Sequence, residues 1–264
     1  MPDYPVDYDA ELGASAILVI TGKCPLKCSD CYGKGFPRKD ADADSLPLAM
    51  SHLRQLGYDT LWVSGGEPTL HPEFARIVRE ASGHFRRVNV TTSGVSMQAT
   101  PAEAAEVFRE HYNFPPRVAF QLSANNELLR QHPDHPERTA AILEGARLAG
   151  LRFPDRIYFH VTGADEAERM EVVRMYGISP PYSQMRRIDT SQIERVDDCG
   201  CGGRIDEQRD VTILPDGMVY RNFTAAVLSR PGEYGGKGYA GKINGNGLRD
   251  IVAVGGLRHV LHDY

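Results

Sequence analysis

Three cysteines in the spacing C-x3-C-x2-C are the residues of this chain best suited to chemistry. Cys24, Cys28 and Cys31 follow directly after an apolar run at 16–20. A cluster of the [4Fe–4S] type takes four ligands, so three thiolates leave one iron open. An open coordination position is typical of a metal site that does chemistry and not of one that only stabilises a fold. The spacing therefore predicts an iron–sulfur cluster that can bind a further molecule.

Two other uses of these cysteines fit less well. A structural zinc site usually takes four protein ligands, commonly as two close cysteine pairs, and no second pair or histidine lies nearby. A disulfide would leave one thiol over and needs an oxidising compartment, for which the sequence gives no other sign. We interpret the three cysteines as cluster ligands, with zinc and disulfide as the alternatives.

A second motif, Ser64-Gly65-Gly66-Glu67-Pro68, follows the next strand-like run at 60–63. Two glycines let a ligand come close to the backbone, and a carboxylate beside bare backbone groups suits an ammonium group. Taken alone, such a triplet is a common turn. Its place one strand after the cysteine loop makes it a candidate binding loop.

The rest of the chain predicts how these two loops are positioned. Strand-like runs alternate with helical patterns, which predicts a parallel α/β sheet curled into a partial (β/α)6 barrel. In such folds function collects at the carboxyl ends of the strands, where both loops begin. The predicted strands are 16–20, 60–63, 87–91, 117–122, 156–161 and 184–188, and the predicted helices are 46–57, 72–81, 102–111, 137–149 and 165–176. Thr100 is the predicted N-cap of the third helix, with Pro101 in its first turn.

After Val196 the chain becomes rich in glycine, and its pattern changes. Residues 211–220 read as a hairpin turning at Pro215-Asp216-Gly217, and a last helix is expected over about 248–262. We divide the chain into an N-terminal segment at 1–13, a core at 14–196 and a small hairpin-containing extension at 197–264.

The two motifs on successive strand–helix loops resemble the radical SAM enzyme superfamily over residues 14–195. The resemblance implies a [4Fe–4S] cluster on Cys24, Cys28 and Cys31 whose open iron binds S-adenosylmethionine. It also implies that the loop Gly65-Gly66-Glu67-Pro68 meets the methionine amino group. Reductive cleavage would then yield a 5′-deoxyadenosyl radical that removes a hydrogen atom from a substrate.

Further positions match the family less specifically. Ser93 and Ser123, with Thr92 and Thr162, lie at predicted strand ends where the family binds the cofactor; the alternative for each is an ordinary strand-end or helix-cap hydrogen bond. The family often carries an aromatic residue just before the third cysteine. Here that residue is Asp30, and the aromatic residue is Tyr32, just after the cysteine. Either Tyr32 or another ring lies against adenine, or that contact is lost.

The extension resembles the SPASM and twitch domains of the same superfamily, through Cys199-Gly200-Cys201 and the Asp216-Gly217 hairpin. No cysteine follows Cys201, and two thiols cannot by themselves hold an ordinary four-iron cluster. We therefore expect no auxiliary cluster. One hypothesis makes Cys199 or Cys201 a hydrogen-atom donor that quenches a substrate radical, and the other makes them small buried hydrophobic residues.

Composition narrows the function classes. The net charge of −5 argues against a nucleic-acid partner. No apolar run is long enough to span a membrane, and no signal peptide is visible. Five cysteines in 264 residues are too few for a disulfide framework, so we expect a cytoplasmic protein.

Three functions stay open. The first is an enzyme that acts on a small polar molecule by hydrogen abstraction, with epimerisation or oxidation as the outcome. Its candidate substrate-binding residues, for which ordinary loop or surface roles are the alternative, are Asn125, Asn126, Glu127, His160, Gln184, Arg186 and Arg204. The second is a modifier of peptides or proteins, including a glycyl-radical activase. The third is a non-catalytic iron–sulfur carrier, against which the Gly65-Gly66-Glu67 loop argues. For either enzyme, the resemblance implies a flavodoxin- or ferredoxin-type reductant.

Overall fold

The structure, a computed structural model, describes residues 14–29, 31–97, 100–152, 155–179, 183–186, 210–220 and 239–253. The strands are β1 (Ser15–Val19), β2 (Thr60–Ser64), β3 (Arg87–Thr92), β4 (Val118–Ala124), β5 (Ile157–Gly163), β6 (Ser183–Arg186), β7 (Asp210–Ile213), β8 (Met218–Tyr220) and β9 (Tyr239–Lys242). The α-helices are α1 (Leu46–Gln55), α2 (Phe74–His84), α3 (Pro101–Glu110), α4 (Asn126–Gln131), α5 (His135–Leu148), α6 (Glu166–Met175) and α7 (Arg249–Ala253). Short 3₁₀ helices lie at Tyr32–Gly35 and Pro68–Leu70.

The described strands form one open sheet in the order β6-β5-β4-β3-β2-β1-β7-β8-β9. Strands β1 to β6 are parallel and neighbour one another in chain order, which confirms the predicted α/β class and the six-stranded parallel core. The sheet does not close. On the far side of β1 it continues into the extension, because β7 pairs with β1 in parallel and β8 and β9 follow antiparallel.

Residue alternation along the strands separates two faces of the sheet. On β4, Phe120, Leu122 and Ala124 belong to the apolar core that the helices cover. Successive side chains of a strand point to opposite faces, so Gln121 and Ser123 lie on the other one. We call this second side of the sheet the inner face.

Several helix boundaries follow from local chemistry. Helix α3 begins at Thr100, where a capping box joins the side chains and backbone N–H groups of Thr100 and Glu103, and Pro101 occupies the first turn. The predicted Thr100 cap is thereby confirmed. The six-residue helix α4 was not predicted, because one and a half turns are too short for a periodic apolar pattern.

In the C-terminal part, the predicted hairpin is confirmed as β7 and β8, with Gly217 at a positive φ of 82° in the turn. The predicted last helix is described only as α7, and its remaining residues lie outside the described part of the chain. None of the helices in the described ranges combines the length and apolar character that crossing a membrane requires.

Candidate functional site

The carboxyl ends of β1, β2 and β7 finish level at one edge of the sheet. Val19 of β1 is in register with Ser64 of β2, and Leu18 is in register with Ile213 of β7. The cysteine loop, the Gly65-Gly66-Glu67 loop and the hairpin turn therefore leave the sheet side by side. The two predicted binding loops are neighbours in space as well as along the chain.

The cysteine loop presents its three thiols free and half-buried at Cys24, Cys28 and Cys31. Burial raises the pKa of Cys28 to about 11, and the negative charges of Cys31 and Cys24 raise it further. Burial also raises the pKa of Cys24. Thiols that oppose each other's ionisation need a positively charged centre before all three can be thiolates.

This donor set fits an iron–sulfur cluster better than a single metal ion. Among the described residues, no group of three His, Cys, Asp or Glu side chains is close enough to enclose one ion. In a four-iron cluster each cysteine binds a different iron, so the cysteine sulfurs are farther apart than the ligands of a single ion. Three unpaired thiols on one loop meet that requirement.

The two glycines of the second motif allow the neighbouring loop to pack against it. A Cβ on Gly66 would lie 2.3 Å from the Lys23 carbonyl oxygen, and one on Gly65 would lie 2.7 Å from that of Thr21. The backbone N–H of Gly66 donates to the Thr21 oxygen at 2.7 Å, and the backbone N–H of Glu67 donates to the Lys23 oxygen at 2.8 Å. Sequence analysis assigned the glycines to ligand approach; in the structure the close neighbour is the backbone that leads to Cys24.

The carboxylate of Glu67 is 1% exposed and faces hydroxyl and amide donors. Its Oε1 accepts from the hydroxyls of Thr69 and Thr92, each at 2.6 Å. Its Oε2 accepts from the hydroxyl of Ser93 at 2.5 Å and from the Ser93 N–H at 2.9 Å. Glu67 therefore ties the second loop to the end of β3, and the hydroxyls of Thr92 and Ser93 are used within the protein.

His135 extends this network to the helices, and sequence analysis missed it. Its Nε2 lies 2.7 Å from the Ser93 carbonyl oxygen, which can only accept, so Nε2 carries the proton. Its Nδ1 then accepts from the hydroxyl of Tyr176 at 2.8 Å. Burial lowers the pKa of His135, which favours this neutral form. No local sequence pattern indicates these contacts, because His135 and its partners Ser93 and Tyr176 come from separate elements.

The inner face of the sheet carries polar side chains beside this rim. They come from the alternate positions of three adjacent strands and are Thr91, Gln121, Ser123, His160 and Thr162. The Thr91 hydroxyl donates to Gln121 Oε1 at 2.9 Å. Ser123 and His160 are register partners on β4 and β5. The hydroxyl of Ser123 has no hydrogen-bond partner within the ranges the structure describes.

Burial lowers the pKa of His160 to about 4, so its imidazole is neutral near pH 7. A neutral imidazole offers one donor and one acceptor. Together these side chains give the inner face hydrogen-bonding groups without fixed charge.

The polar loop residues after β4 are used differently from what the sequence suggested. Asn125 caps α4 by accepting from the Leu128 N–H at 2.9 Å, and Asn126 donates to Glu168 at 3.1 Å. These side chains are engaged in the fold. The side chains of Tyr32, Gln184 and Arg186, and the whole of Cys199, Cys201 and Arg204, lie outside the described residues.

A parallel α/β sheet with three thiols on its carboxyl edge fits an α/β iron–sulfur protein. The sequence profile described as the Radical SAM superfamily matches residues 18–176, which is more than half of the chain. The chain belongs to the radical SAM superfamily and is an enzyme of that family, whose cofactors are a [4Fe–4S] cluster and S-adenosylmethionine.

Individual relatives are distant. The chain is 33% identical to a PqqA peptide cyclase of Streptomyces rochei over 174 residues, which cover 61% of this chain and 45% of that protein. It is 27% identical to a probable GTP 3′,8-cyclase of Methanothermobacter marburgensis over 137 residues, 50% of this chain and 43% of that protein. The chain thus spans less than half the length of these curated relatives.

A solved structure described as native anSMEcpe with bound AdoMet shares the fold. The TM-score is 0.54 at 12% sequence identity, over 90% of this chain and 79% of that one. At this identity the likeness supports the fold alone.

Proposed function

We propose that this enzyme abstracts a hydrogen atom from a small polar substrate that lies against the inner face of the sheet. Cys24, Cys28 and Cys31 would hold the cluster, and the backbone of Gly65, Gly66 and Pro68 would border the methionine end of S-adenosylmethionine. When bound, the two cofactors supply a 5′-deoxyadenosyl radical. A flavodoxin- or ferredoxin-type protein would deliver the electron.

The observation that carries the proposal is the polarity of the inner face on β3, β4 and β5. A sheet face packed only for stability would carry apolar side chains, as the helix-covered face does. Half-buried hydroxyls at Thr91, Ser123 and Thr162 instead offer hydrogen bonds in a partly dry setting, where an unsatisfied partner is costly. Such a surface discriminates among hydroxyl- and amine-bearing molecules such as sugars, aminoglycosides, nucleosides or amino acids.

The neutral state of His160 supports the same class of substrate. An uncharged imidazole beside Ser123 can both donate to and accept from a neutral polar group. It adds no charge that would select a phosphate or a carboxylate. We propose that Ser123 and His160 orient the substrate with respect to the carbon that loses hydrogen.

Glu67 and Ser93 act indirectly in this proposal. Their side chains are engaged with each other, so they would fix the loop whose backbone meets the cofactor. Tyr32 would cover adenine.

We further propose that Cys199 or Cys201 returns a hydrogen atom to the substrate radical, which would make the reaction an epimerisation. Thiol transfer forms the new C–H bond and leaves a thiyl radical, which the external reductant and a proton would restore. With neither cysteine donating, the substrate radical would be oxidised by losing an electron and a proton, and the cluster held by Cys24, Cys28 and Cys31 would supply the electron acceptor.

A peptide substrate is the second candidate. One relative, matched over 61% of this chain, is a PqqA peptide cyclase. The same inner-face hydrogen bonds could serve a peptide backbone, whose N–H and C=O groups are also uncharged.

Anaerobically reconstituted protein, S-adenosylmethionine and dithionite provide the test. We expect 5′-deoxyadenosine to form, and a panel of nucleosides, sugars, aminoglycosides and amino acids to contain a compound that accelerates it. With that compound deuterated, deuterium should appear in 5′-deoxyadenosine. Acceleration by peptides alone would favour the second candidate, and a complete lack of 5′-deoxyadenosine would contradict both.

A further inference from the structure

Helix α4 braces the middle of the cysteine loop. The loop N–H of Lys27 donates to Gln131 Oε1 at 3.0 Å, and the Ser29 hydroxyl lies 3.4 Å from Glu127 Oε2. These contacts join segments about a hundred positions apart in the sequence, on either side of Cys28. The helix itself begins at Asn125, directly after β4.

The Gln131 amide is held in one orientation by its neighbours. Its oxygen faces the Lys27 N–H, which can only donate. Its nitrogen faces two acceptors, Glu127 Oε1 at 2.7 Å and the Cys28 sulfur at 3.9 Å. A primary amide has one N–H for each acceptor. The flipped amide would set oxygen against a carboxylate and a thiolate, so it is excluded.

Glu127 keeps the amide in place from the other side. Its side chain is 7% exposed, and Arg130 donates to both carboxylate oxygens at 3.1 Å and 2.6 Å. The hydrogen bonds from Arg130 are the main reason that the pKa of Glu127 falls to about 2. Glu127 is therefore an anion across the working pH range and always accepts from Gln131.

We infer that Gln131 is a positioning residue for the iron–sulfur cluster, because its amide fixes the Lys27–Cys28 backbone and donates an N–H to the Cys28 sulfur. Hydrogen bonds to ligand sulfurs help set cluster potentials. The reduced cluster carries one more negative charge than the oxidised one, so a donor stabilises it more. Gln131 therefore raises the midpoint potential and makes the cluster easier to reduce. The inference rests on the proposed assignment of Cys28 as a ligand, and it requires no particular substrate.

Two substitutions separate the donor from the brace. Gln131→Leu removes both contacts of the amide. Gln131→Glu keeps an acceptor for the Lys27 N–H but has no N–H for sulfur, and it adds a carboxylate beside Glu127. Gln55→Leu, on the exposed end of α1, is the matched control.

The readout is an EPR-monitored potentiometric titration of the reconstituted holoenzyme without substrate, together with its iron content. We expect both Gln131 variants to have a more negative midpoint potential than the parent, and the control to match the parent. If Gln131→Leu takes up less iron, the brace is confirmed; with full iron, its potential reports on the donor without the added charge of Gln131→Glu. A Gln131→Glu variant with full iron and the parental potential would overturn the inference. Because no substrate is present, a wrong substrate class would leave this result unchanged.

Discussion

A carboxylate buried at the end of a strand must find a donor for each of its oxygens, since losing water without replacement is costly. Glu67 meets this requirement with donors from Thr69, Thr92 and Ser93. The same bonds hold the second loop against β3 and, through its backbone, against the cysteine loop. A single anion thereby fixes the relative positions of three strand ends.

Replacing Glu67 with Gln tests this role. The amide nitrogen of Gln cannot accept, so at least one of the buried donors around Glu67 loses its partner. We expect the free energy of unfolding to fall by about 1–3 kcal/mol, measured by urea denaturation of the reconstituted protein. Glu106→Gln, on the exposed face of α3, should stay within about 0.5 kcal/mol of the parent. Equal stability of both variants would show that Glu67 is not a structural clamp.

At the scale of elements, two glycines in helices have opposite surroundings. A Cβ on Gly145 of α5 would lie 2.5 Å from Ala104 Cβ and 2.8 Å from the backbone N of Ala105 in α3. A Cβ on Gly83 of α2 would meet nothing within 4 Å. Gly145 thus allows α3 and α5 to pack closely, whereas Gly83 only weakens its own helix.

Alanine at each site should therefore change stability in opposite directions. Gly83→Ala gains helix propensity, so we expect stabilisation by about 0.5–1 kcal/mol. At Gly145 the same gain is exceeded by overpacking, which costs about 1–3 kcal/mol, because backbone atoms cannot move aside. Thermal unfolding of the two variants in parallel checks both signs. A stabilised Gly145→Ala variant would show that α3 and α5 are not in close contact.

The elements also show what the sequence alone could predict. Strands with continuous apolar runs and helices with local caps, such as the one at Thr100, were found because their signals lie within a few residues. Helix α4 escaped because it is short, and with it the contact of Gln131 with the cysteine loop. The hydrogen bonds of Glu67 and His135 depend on partners that the fold brings together from distant parts of the chain. No local sequence pattern indicates such contacts.

For the whole molecule, the continuous sheet matters most. Sequence composition suggested a small extension after Val196, and strand β7 of that part of the chain pairs with β1 in parallel. On its other side the same β1 pairs with β2. The strand that leads into the cysteine loop is therefore central, supported from both edges. Its position should make β1 itself one of the last regions to open, since central strands share the global stability of a domain.

Among the described residues, three histidines with lowered pKa values contribute to how the stability of the fold responds to mild acid. Burial lowers the pKa of His52, His135 and His160, the last to about 4. Near neutral pH and above, these imidazoles are neutral in both the folded and unfolded states. As the pH falls below 6.5, the ordinary histidine pKa, the unfolded chain binds protons that the folded protein does not. Stability is therefore lost as the pH decreases, and for His160 this loss continues down to about pH 4.

Replacing His160 with Gln removes one of these three titrating imidazoles and so measures its contribution. Each proton that only the unfolded chain binds contributes a slope of up to about 1.4 kcal/mol per pH unit. We expect the variant to lose stability less steeply than the parent between pH 6 and about 4.5, measured by urea unfolding at stepped pH. Gly83→Ala contains no new titrating group and should shift the curve without changing its slope. An unchanged slope in His160→Gln would show that this imidazole is solvated on the inner face. An NMR titration that gives His160 of the folded protein a pKa near 6.5 would show the same.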